Sequence, residues 1–243
     1  MKERLYRGNY SLKGINVVDF DEAAGIEKLS QIGGEFQINS YVYKYKDCIY
    51  SVVENRNDEI LGKGYVEAYK VKDGNLYFIN QKLSDGEGPV FITVDEIREI
   101  LYVCNYTDAS FIAFKINEDG SVGEKLFFKR YSTISRIHQL QFSKDMKKLY
   151  VADLGESKIY EFQIKYKNGV LELVEKSTIV FPDNSKPRHI AVDNNFVYVV
   201  TEVSCEVYKL GYNENQELQI MDKRPIFDKE VEKDDTRMRY KSG

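Results

Sequence analysis

The segment KLYVADLG, residues 148–155, is a short apolar run around a tyrosine that ends in an aspartate and a glycine. A run of this length, bounded by turn-forming residues, is typical of a buried β-strand. The same pattern recurs in three further segments, CIYSVVEN (48–55), ILYVCNYT (100–107) and FVYVVTEV (196–203). Their central tyrosines are separated by 52, 48 and 48 residues. A nearly constant period of this size indicates the repeated blades of a β-propeller.

Each repeat contains four predicted strands in the same order. An alternating run such as HQLQFS (138–143) precedes the tyrosine strand, and runs such as KIYEFQI (158–164) and LYFINQKL (76–83) supply the third and fourth strands. Turn-forming segments such as YKNG (166–169) separate them. We therefore predict an all-β fold made of four-stranded antiparallel blades.

A weaker copy of the pattern, RLYRGNYS, places Tyr6 a further 44 residues upstream of the first strong copy. This copy begins at the tyrosine strand, so the first blade is expected to lack its first strand. Residues 228–243 are strongly charged and make a poor inner strand. We predict one partial propeller domain over residues 1–227, followed by a charged tail over 228–243.

The composition and charge of the chain argue against several classes of partner and site. The chain has 243 residues, 42% of them hydrophobic, with a formal net charge of −4. This balance predicts no nucleic-acid partner and no anionic membrane partner. The start of the chain lacks an apolar signal core and no segment is long enough to cross a bilayer, so a cytoplasmic location is expected. The three cysteines are widely spaced and indicate neither a disulfide framework nor a zinc site.

Several segments together resemble a known family. They are RGNYSLKGINVVDFD (7–21), GEGPVFITVD (86–95), IHQLQFSKDMKKLYVADLGESKIYEF (137–162) and KPRHIAVDNNFVYVVTE (186–202). In this order they resemble the seven-bladed propeller lactonases, which include bacterial 6-phosphogluconolactonases and fungal carboxymuconate-lactonizing enzymes. Two departures stand out: the family's HPHQ is Arg136-Ile137-His138-Gln139 here, and its GPRH begins with Lys186.

Members of that family continue for about two further blades. The resemblance therefore implies about five blades of a seven-bladed architecture. An incomplete ring would leave the faces of the first and last blades uncovered, and we expect apolar residues such as Val17, Val18, Val207 and Leu210 to be exposed there. The expected outcome is either self-association through these end blades or a fragment of a longer polypeptide.

Superposing the repeats brings candidate site residues together. His138 and Arg188 fall at the same place, just before the first strand of their blades, and Glu202 follows the end of the tyrosine strand. These two strands are antiparallel, so the start of one and the end of the other share a rim. We therefore expect Arg188 and Glu202 to approach each other, with His138 facing the same rim.

These three residue types suit acid–base chemistry at a carbonyl group. A guanidinium such as that of Arg188 presents several donors to a carboxylate, a phosphate or a developing oxyanion. His138, with an ordinary pKa near ~6.5, is the candidate proton carrier. Glu202 would orient a water molecule or act as the second acid–base group. The family resemblance implies the same three catalytic roles for His138, Arg188 and Glu202.

Four further residues are candidate substrate contacts, namely Gln139, Asn105, Asp153 and Lys186. For Asn105 and Asp153 the competing interpretation is structural, with their side chains closing the turns after the tyrosine strands. His189 is predicted to point to the strand face opposite Arg188 and to serve in packing.

The resulting hypothesis is a hydrolase acting on a sugar lactone such as 6-phosphogluconolactone, with a small-molecule lactone as partner and with no metal and no cofactor. Three alternatives stay open. They are a metal-dependent lactonase propeller that uses oxygen ligands such as Asn105, Asp153, Glu54 and Glu202, a carboxymuconate cycloisomerase, and a non-catalytic binding propeller.

Overall fold

All regular elements described in the computed structural model are β-strands, which confirms the predicted fold class. The structure describes residues 2–10, 14–23, 25–32, 38–54 and 63–227, and within them there are nineteen strands. They fall into two compact units, Met1–Arg130 and Tyr131–Gly243. The predicted tail, 228–243, lies outside the described residues, and the single domain over 1–227 stays a prediction.

The first unit contains three antiparallel sheets. Its first sheet has three described strands, β1 (Lys2–Arg7), β2 (Ile15–Asp21) and β3 (Gly25–Ile32). The second sheet has four, β4 (Ile38–Tyr45), β5 (Cys48–Glu54), β6 (Lys63–Lys72) and β7 (Asn75–Glu87). The third also has four, β8 (Pro89–Asp95), β9 (Ile100–Asn105), β10 (Ser110–Ile116) and β11 (Val122–Arg130).

The second unit contains two antiparallel sheets of four strands each. One comprises β12 (Ile137–Phe142), β13 (Lys148–Asp153), β14 (Lys158–Lys167) and β15 (Val170–Val180). The other comprises β16 (Pro187–Val192), β17 (Val197–Thr201), β18 (Glu206–Tyr212) and β19 (Leu218–Pro225). In every sheet, strands that follow one another in the chain are neighbours, as in the blades of a propeller.

The repeated tyrosines occupy equivalent strands, as the sequence predicts. Tyr50, Tyr102, Tyr150 and Tyr198 lie in the second strands of the four-stranded sheets. Tyr6 lies in β1, which is the first of the three described strands of its sheet.

The turns follow the sequence as well. Asp73 and Gly74 both have positive φ, 52° and 74°, and join β6 to β7. Asn168 and Gly169 join β14 to β15 in the same way, with φ of 53° and 79°. Two successive residues with positive φ form the hairpin turn that matches the right-handed twist of the strands, and Asp-Gly and Asn-Gly are its preferred residues.

Each four-stranded sheet has a buried part and an exposed part. In the second unit, Tyr150 and Ala152 of β13 pack with Ile190, Val199 and other apolar residues of the neighbouring sheet. The fourth strand of the last sheet, β19, is by contrast mostly exposed. Removal of these apolar side chains from water, worth roughly 1.5–3 kcal/mol for each large one, is what holds neighbouring sheets together.

The expected exposure of apolar residues in the end blades is wrong for Val17 and Leu210 and only partly met by Val18 and Val207. Val17 and Leu210 are buried, with 3% and 0% of their surfaces exposed. Val18 and Val207 are half-buried. Alternation along a strand explains the difference, because Leu210 points into the apolar cluster shared with the preceding sheet and cannot also face outwards.

A β-bulge marks the first strand of all four four-stranded sheets. The pairing register shifts between Ile38 and Tyr41 in β4, and between Pro89 and Phe91 in β8. It shifts again at His138, between its two neighbours in β12, and at Arg188, between its two neighbours in β16. A bulge leaves one residue without a partner across the ladder and changes the direction of its side chain. This repeated irregularity positions the candidate site.

Candidate active site

The site is built at the starts of β12 and β16, within the second unit. His138 is the unpaired residue of the bulge in β12, and Arg188 is the unpaired residue of the bulge in β16. The flanking pairs are also equivalent, because Ile137 lies opposite Asp153 and Pro187 lies opposite Thr201. Two copies of one backbone irregularity therefore present two different side chains.

Arg188 is the centre of the cluster. Its Nε donates a hydrogen bond to Nε2 of His138 over 3.0 Å. The same Nε lies 3.0 Å from Oε2 of Glu202, with which it forms an ion pair. The three residues named from the sequence are therefore in direct contact. The shared rim of Arg188 and Glu202, deduced from strand polarity, agrees with this contact.

His138 is not the ordinary imidazole that the sequence suggests. Only 8% of its surface is exposed. Burial, the nearby charge of Arg188 and the proximity of His189 lower the pKa of His138 from 6.5 to about 3. At neutral pH the ring is therefore uncharged. Because its Nε2 accepts a hydrogen bond from Arg188, the single proton of the neutral ring is assigned to Nδ1.

The other end of the arginine fork has no such partners. Nη1 of Arg188 is buried and has no hydrogen-bond partner among the residues that the structure describes. A buried guanidinium donor without a partner is costly, so it marks a place where an acceptor from outside the protein would be stabilised. Glu202 is more open, with 42% of its side chain exposed against 24% for Arg188. Water can therefore reach this carboxylate.

The predicted direction of His189 is wrong. Its ring centroid lies 5.2 Å from that of His138, and the residue is exposed. The prediction assumed strict alternation along β16, but the bulge at Arg188 breaks the alternation immediately before His189. His189 therefore borders the cluster.

The four candidate substrate contacts are engaged with the protein itself. The amide of Gln139 bonds to the backbone of Ile190, at 2.6 Å for its oxygen and 3.2 Å for its nitrogen. Asn105, in the first unit, donates to the carbonyl oxygen of Ser84 and to Oγ of Ser110, both at 3.0 Å. Nζ of Lys186 donates to the carbonyl oxygen of Gly155 over 2.9 Å.

Asp153 is a structural carboxylate by its contacts. Oδ1 accepts hydrogen bonds from the backbone N–H groups of Arg136 and Glu156, at 2.8 and 3.1 Å. Oδ2 accepts one from the hydroxyl of Tyr160 at 3.2 Å. The side chain is fully buried. These bonds tie the end of β13 to the segment that leads into β12, which agrees with the turn-closing interpretation.

Sequence reasoning missed the importance of Gly155 in the same turn. A Cβ atom built on this residue would lie 2.0 Å from the carbonyl oxygen of Ile134 and 2.7 Å from the nitrogen of Arg136. The segment that leads into β12 therefore packs directly against the backbone of Gly155, where no side chain would fit. The segment KLYVADLG contains this glycine, but only the close approach of the backbone explains why a glycine stands there.

A further cation, Arg136, stands directly before β12. Nη1 of Arg136 donates to the carbonyl oxygen of Thr133 over 2.9 Å, so this cation is held by backbone. Over the described ranges, no group of three or more His, Cys, Asp or Glu side chains is placed to hold a metal ion. No helix in the part of the chain that the structure describes is long and apolar enough to span a membrane.

The sheets and the cluster define an all-β protein with propeller-type blades and an arginine-centred polar site at the strand starts. Residues 4–237 match the family described as Lactonase, 7-bladed beta-propeller. The chain therefore belongs to the seven-bladed β-propeller lactonase family, which confirms the resemblance seen in the sequence.

Two curated relatives carry the same name. The chain is 30% identical over 197 residues to a 6-phosphogluconolactonase of Bacillus subtilis, which covers 72% of this chain and 55% of that protein. It is also 30% identical over 213 residues to a 6-phosphogluconolactonase of Formosa agariphila, which covers 80% of this chain and 59% of that protein. The chain thus spans a little over half the length of these relatives.

A solved structure shares the fold. The crystal structure of a protein from Lactobacillus plantarum superposes with a TM-score of 0.80 at 24% identity, over 94% of this chain and 69% of that chain. At this identity the likeness bears on the fold alone.

Proposed function

We propose that this chain hydrolyses a sugar lactone and that Arg188, Glu202 and His138 carry the reaction. Membership of the lactonase family and the name shared by the two curated relatives support the reaction class. The observation that carries the assignment of residues is the geometry of Arg188. Its Nε is 3.0 Å from both partners, and its buried Nη1 has no partner within the described residues.

Arg188 has the properties of an oxyanion donor. The carbonyl oxygen of a lactone becomes negatively charged when water adds to the carbonyl carbon. A fixed donor stabilises this charge most strongly where the surroundings are partly dry and the donor needs no reorientation. His138 and Glu202 hold one edge of the guanidinium, so Nη1 is directed without further ordering.

Glu202 is the base in this proposal. Its exposed carboxylate takes a proton from water as the water oxygen bonds to the carbonyl carbon, giving a tetrahedral intermediate. The intermediate collapses by breaking the bond to the ring oxygen, and this oxygen receives the proton from Glu202. One water is consumed, the product is the open-chain hydroxy acid, and the carboxylate is regenerated.

His138 serves as an acceptor and not as the proton carrier. A group with a pKa of about 3 holds almost no proton at neutral pH, so it cannot act as a general acid there. Its neutral Nε2 instead fixes the orientation of Arg188 without neutralising the guanidinium charge.

The test is hydrolysis of glucono-δ-lactone and of its 6-phosphate by the full chain, followed by acid release at constant pH above the spontaneous rate. Glu202→Gln should lower kcat by roughly 100-fold or more, because a general base typically contributes 10²–10⁴. Glu217→Gln is the matched control, since Glu217 is an exposed glutamate of the same unit. Turnover that survives Glu202→Gln would remove Glu202 from the reaction.

Two further readouts separate the alternatives. Activity that disappears with EDTA and returns with calcium would favour the metal-dependent class of lactonase propeller. Turnover of a carboxylated muconate without lactone hydrolysis would favour a cycloisomerase. Self-association through the end blades and a cytoplasmic location belong to the same proposal and stay predictions.

A further inference from the structure

The side chain of Gln139 bridges two sheets of the second unit. It projects from β12, whereas its partner Ile190 belongs to β16 in the neighbouring sheet. Oε1 of Gln139 accepts the N–H of Ile190 over 2.6 Å, and Nε2 donates to the carbonyl oxygen of Ile190 over 3.2 Å. Both residues are buried. One primary amide thus satisfies both backbone groups of a residue in another sheet.

The bridge lies next to the site at both ends. Gln139 follows His138 directly, and Ile190 is two residues beyond Arg188. Apolar side chains such as Val199 fill most of the space between the two sheets. Hydrogen bonds from Tyr212 to Tyr150 and Glu161 also join the sheets further along the strands, and Lys186 bonds to the turn after β13. Gln139 is the residue that bonds to the backbone of β16 itself, directly beside His138. Apolar contacts have no preferred direction, whereas a pair of parallel hydrogen bonds fixes the position of one strand along the other.

A second bridge of the same chemistry occurs in the first unit. Nδ2 of Asn80 donates to the carbonyl oxygen of Val122 over 2.9 Å, and Oδ1 accepts the N–H of Val122 over 2.9 Å. Asn80 lies in β7 and Val122 in β11 of the next sheet. The chain therefore offers a bridge with equal bonding that does not touch His138 or Arg188.

We propose that Gln139 is a positioning residue, which holds β16 against β12 so that Arg188 stays in hydrogen-bond contact with His138. The effect of Gln139 on turnover rests on the proposed lactonase function, whereas its effect on the contact between Arg188 and His138 does not. Reacting groups that are misplaced by about 1 Å lose on the order of 100-fold in rate, so a bridge that fixes this distance matters although it meets no substrate.

The first experiment measures the contact without using activity. The chain has only two histidines, so NMR titration of the imidazoles of the full chain gives two signals, which His189→Gln assigns. Among the described residues, the charged or titratable groups that shift the pKa of His138 are Arg188 and His189. Gln139→Met keeps the length of the side chain but removes both hydrogen bonds. We expect it to raise the pKa of His138 by at least about one unit, a tenfold change in the protonation equilibrium.

Two variants control this measurement. Asn80→Leu removes the equivalent bridge in the first unit and should leave the His138 titration unchanged. Gln139→Glu should behave like Gln139→Met at neutral pH, because a carboxylate would face the carbonyl oxygen of Ile190. At low pH the protonated carboxyl can donate to that oxygen and accept from the N–H, so the contact should be restored. If Gln139→Met does not fold, the imidazole chemical shifts of His138 in Gln139→Glu at neutral pH provide the test, because they report whether Nε2 still accepts from Arg188.

Kinetics complete the test. Gln139→Met should lower kcat by about tenfold or more and change KM less, while Gln139→Glu should regain turnover towards acid pH. If the wild type turns over no lactone, the proposed function fails and the His138 titration alone decides the role of Gln139. If Gln139→Met leaves the titration of His138 at the wild-type value, the positioning role is overturned, whatever the activity.

Discussion

The starts of β12 and β16 share the same backbone bulge but present side chains of different chemistry, a histidine and an arginine. Both contain a bulge at the same place relative to the end of the tyrosine strand. One bulge presents a buried, uncharged imidazole, and the other presents a guanidinium that is partly exposed. The comparison shows that the repeat provides the same bulge position in each sheet. The residue at that position and its neighbours then determine its charge and its contacts.

The residues that follow the two bulges differ as well. Gln139 is buried and bonded to the next sheet, whereas His189, at the equivalent position of β16, is exposed beside His138. The first of these two sheets is therefore tied to a neighbour at this position by hydrogen bonds.

The largest expected effect comes from the charged member of the pair. Arg188→Met should lower kcat/KM by roughly 100-fold or more, because in the proposed mechanism it removes the donor to the developing oxyanion. Initial rates of lactone hydrolysis at subsaturating substrate give this ratio directly. Arg224→Met, at an exposed arginine of the same unit, is the control. Equal losses in both variants would mean that Arg188 acts only through structure.

The second prediction concerns the turns that face the two bulges. Gly155→Ala should lower the free energy of unfolding by about 2 kcal/mol, because the added methyl group meets the backbone of Ile134 and Arg136. Val203 holds the equivalent position after β17 and is 52% exposed. Val203→Ala should change stability by less than about 0.5 kcal/mol. Denaturant unfolding measures both, and similar values would show that the two turns do not differ in packing.

The smallest expected effect is a change in the pH dependence of stability. The pKa of His138 is about 3 in the folded protein, below its ordinary value of 6.5, so between these values the unfolded chain binds a proton that the folded chain does not. Stability is therefore full above about pH 6.5 and is lost as the pH falls towards 3, by up to about 1.4 kcal/mol per pH unit.

Replacing the imidazole should remove this contribution. We expect His138→Gln to flatten the decline of unfolding free energy with falling pH, measured by denaturant titration between pH 7 and 4. His189→Gln should flatten it less, since His189 is exposed, although partial desolvation and Arg188 lower its pKa too. An unchanged slope in His138→Gln would contradict the low pKa of this residue.

Much of the fold was predictable because its signals are local. The strands, the Asp-Gly and Asn-Gly hairpins and the equivalence of the repeated tyrosines all follow from residue type and period. The contact of Arg188 with Glu202 was also within reach, because antiparallel pairing alone brings the start of one strand to the end of the next. The direction of the His189 side chain was not predictable, because nothing in the sequence distinguishes the bulge at Arg188 from regular alternation.

By itself the sequence determined the class of fold and the family, and it indicated the three residues that meet in the arginine-centred cluster, since these depend on periodicity and on motifs that are read along the chain. Only the tertiary structure decided the protonation states and the contacts of those residues. Burial, the charge of Arg188 and nearby His189 change His138 from a proton carrier to a neutral acceptor. Gln139 binds Ile190, which is 51 residues away in the sequence. Desolvation and contacts between distant strands arise only when the sheets pack, so no local pattern records them.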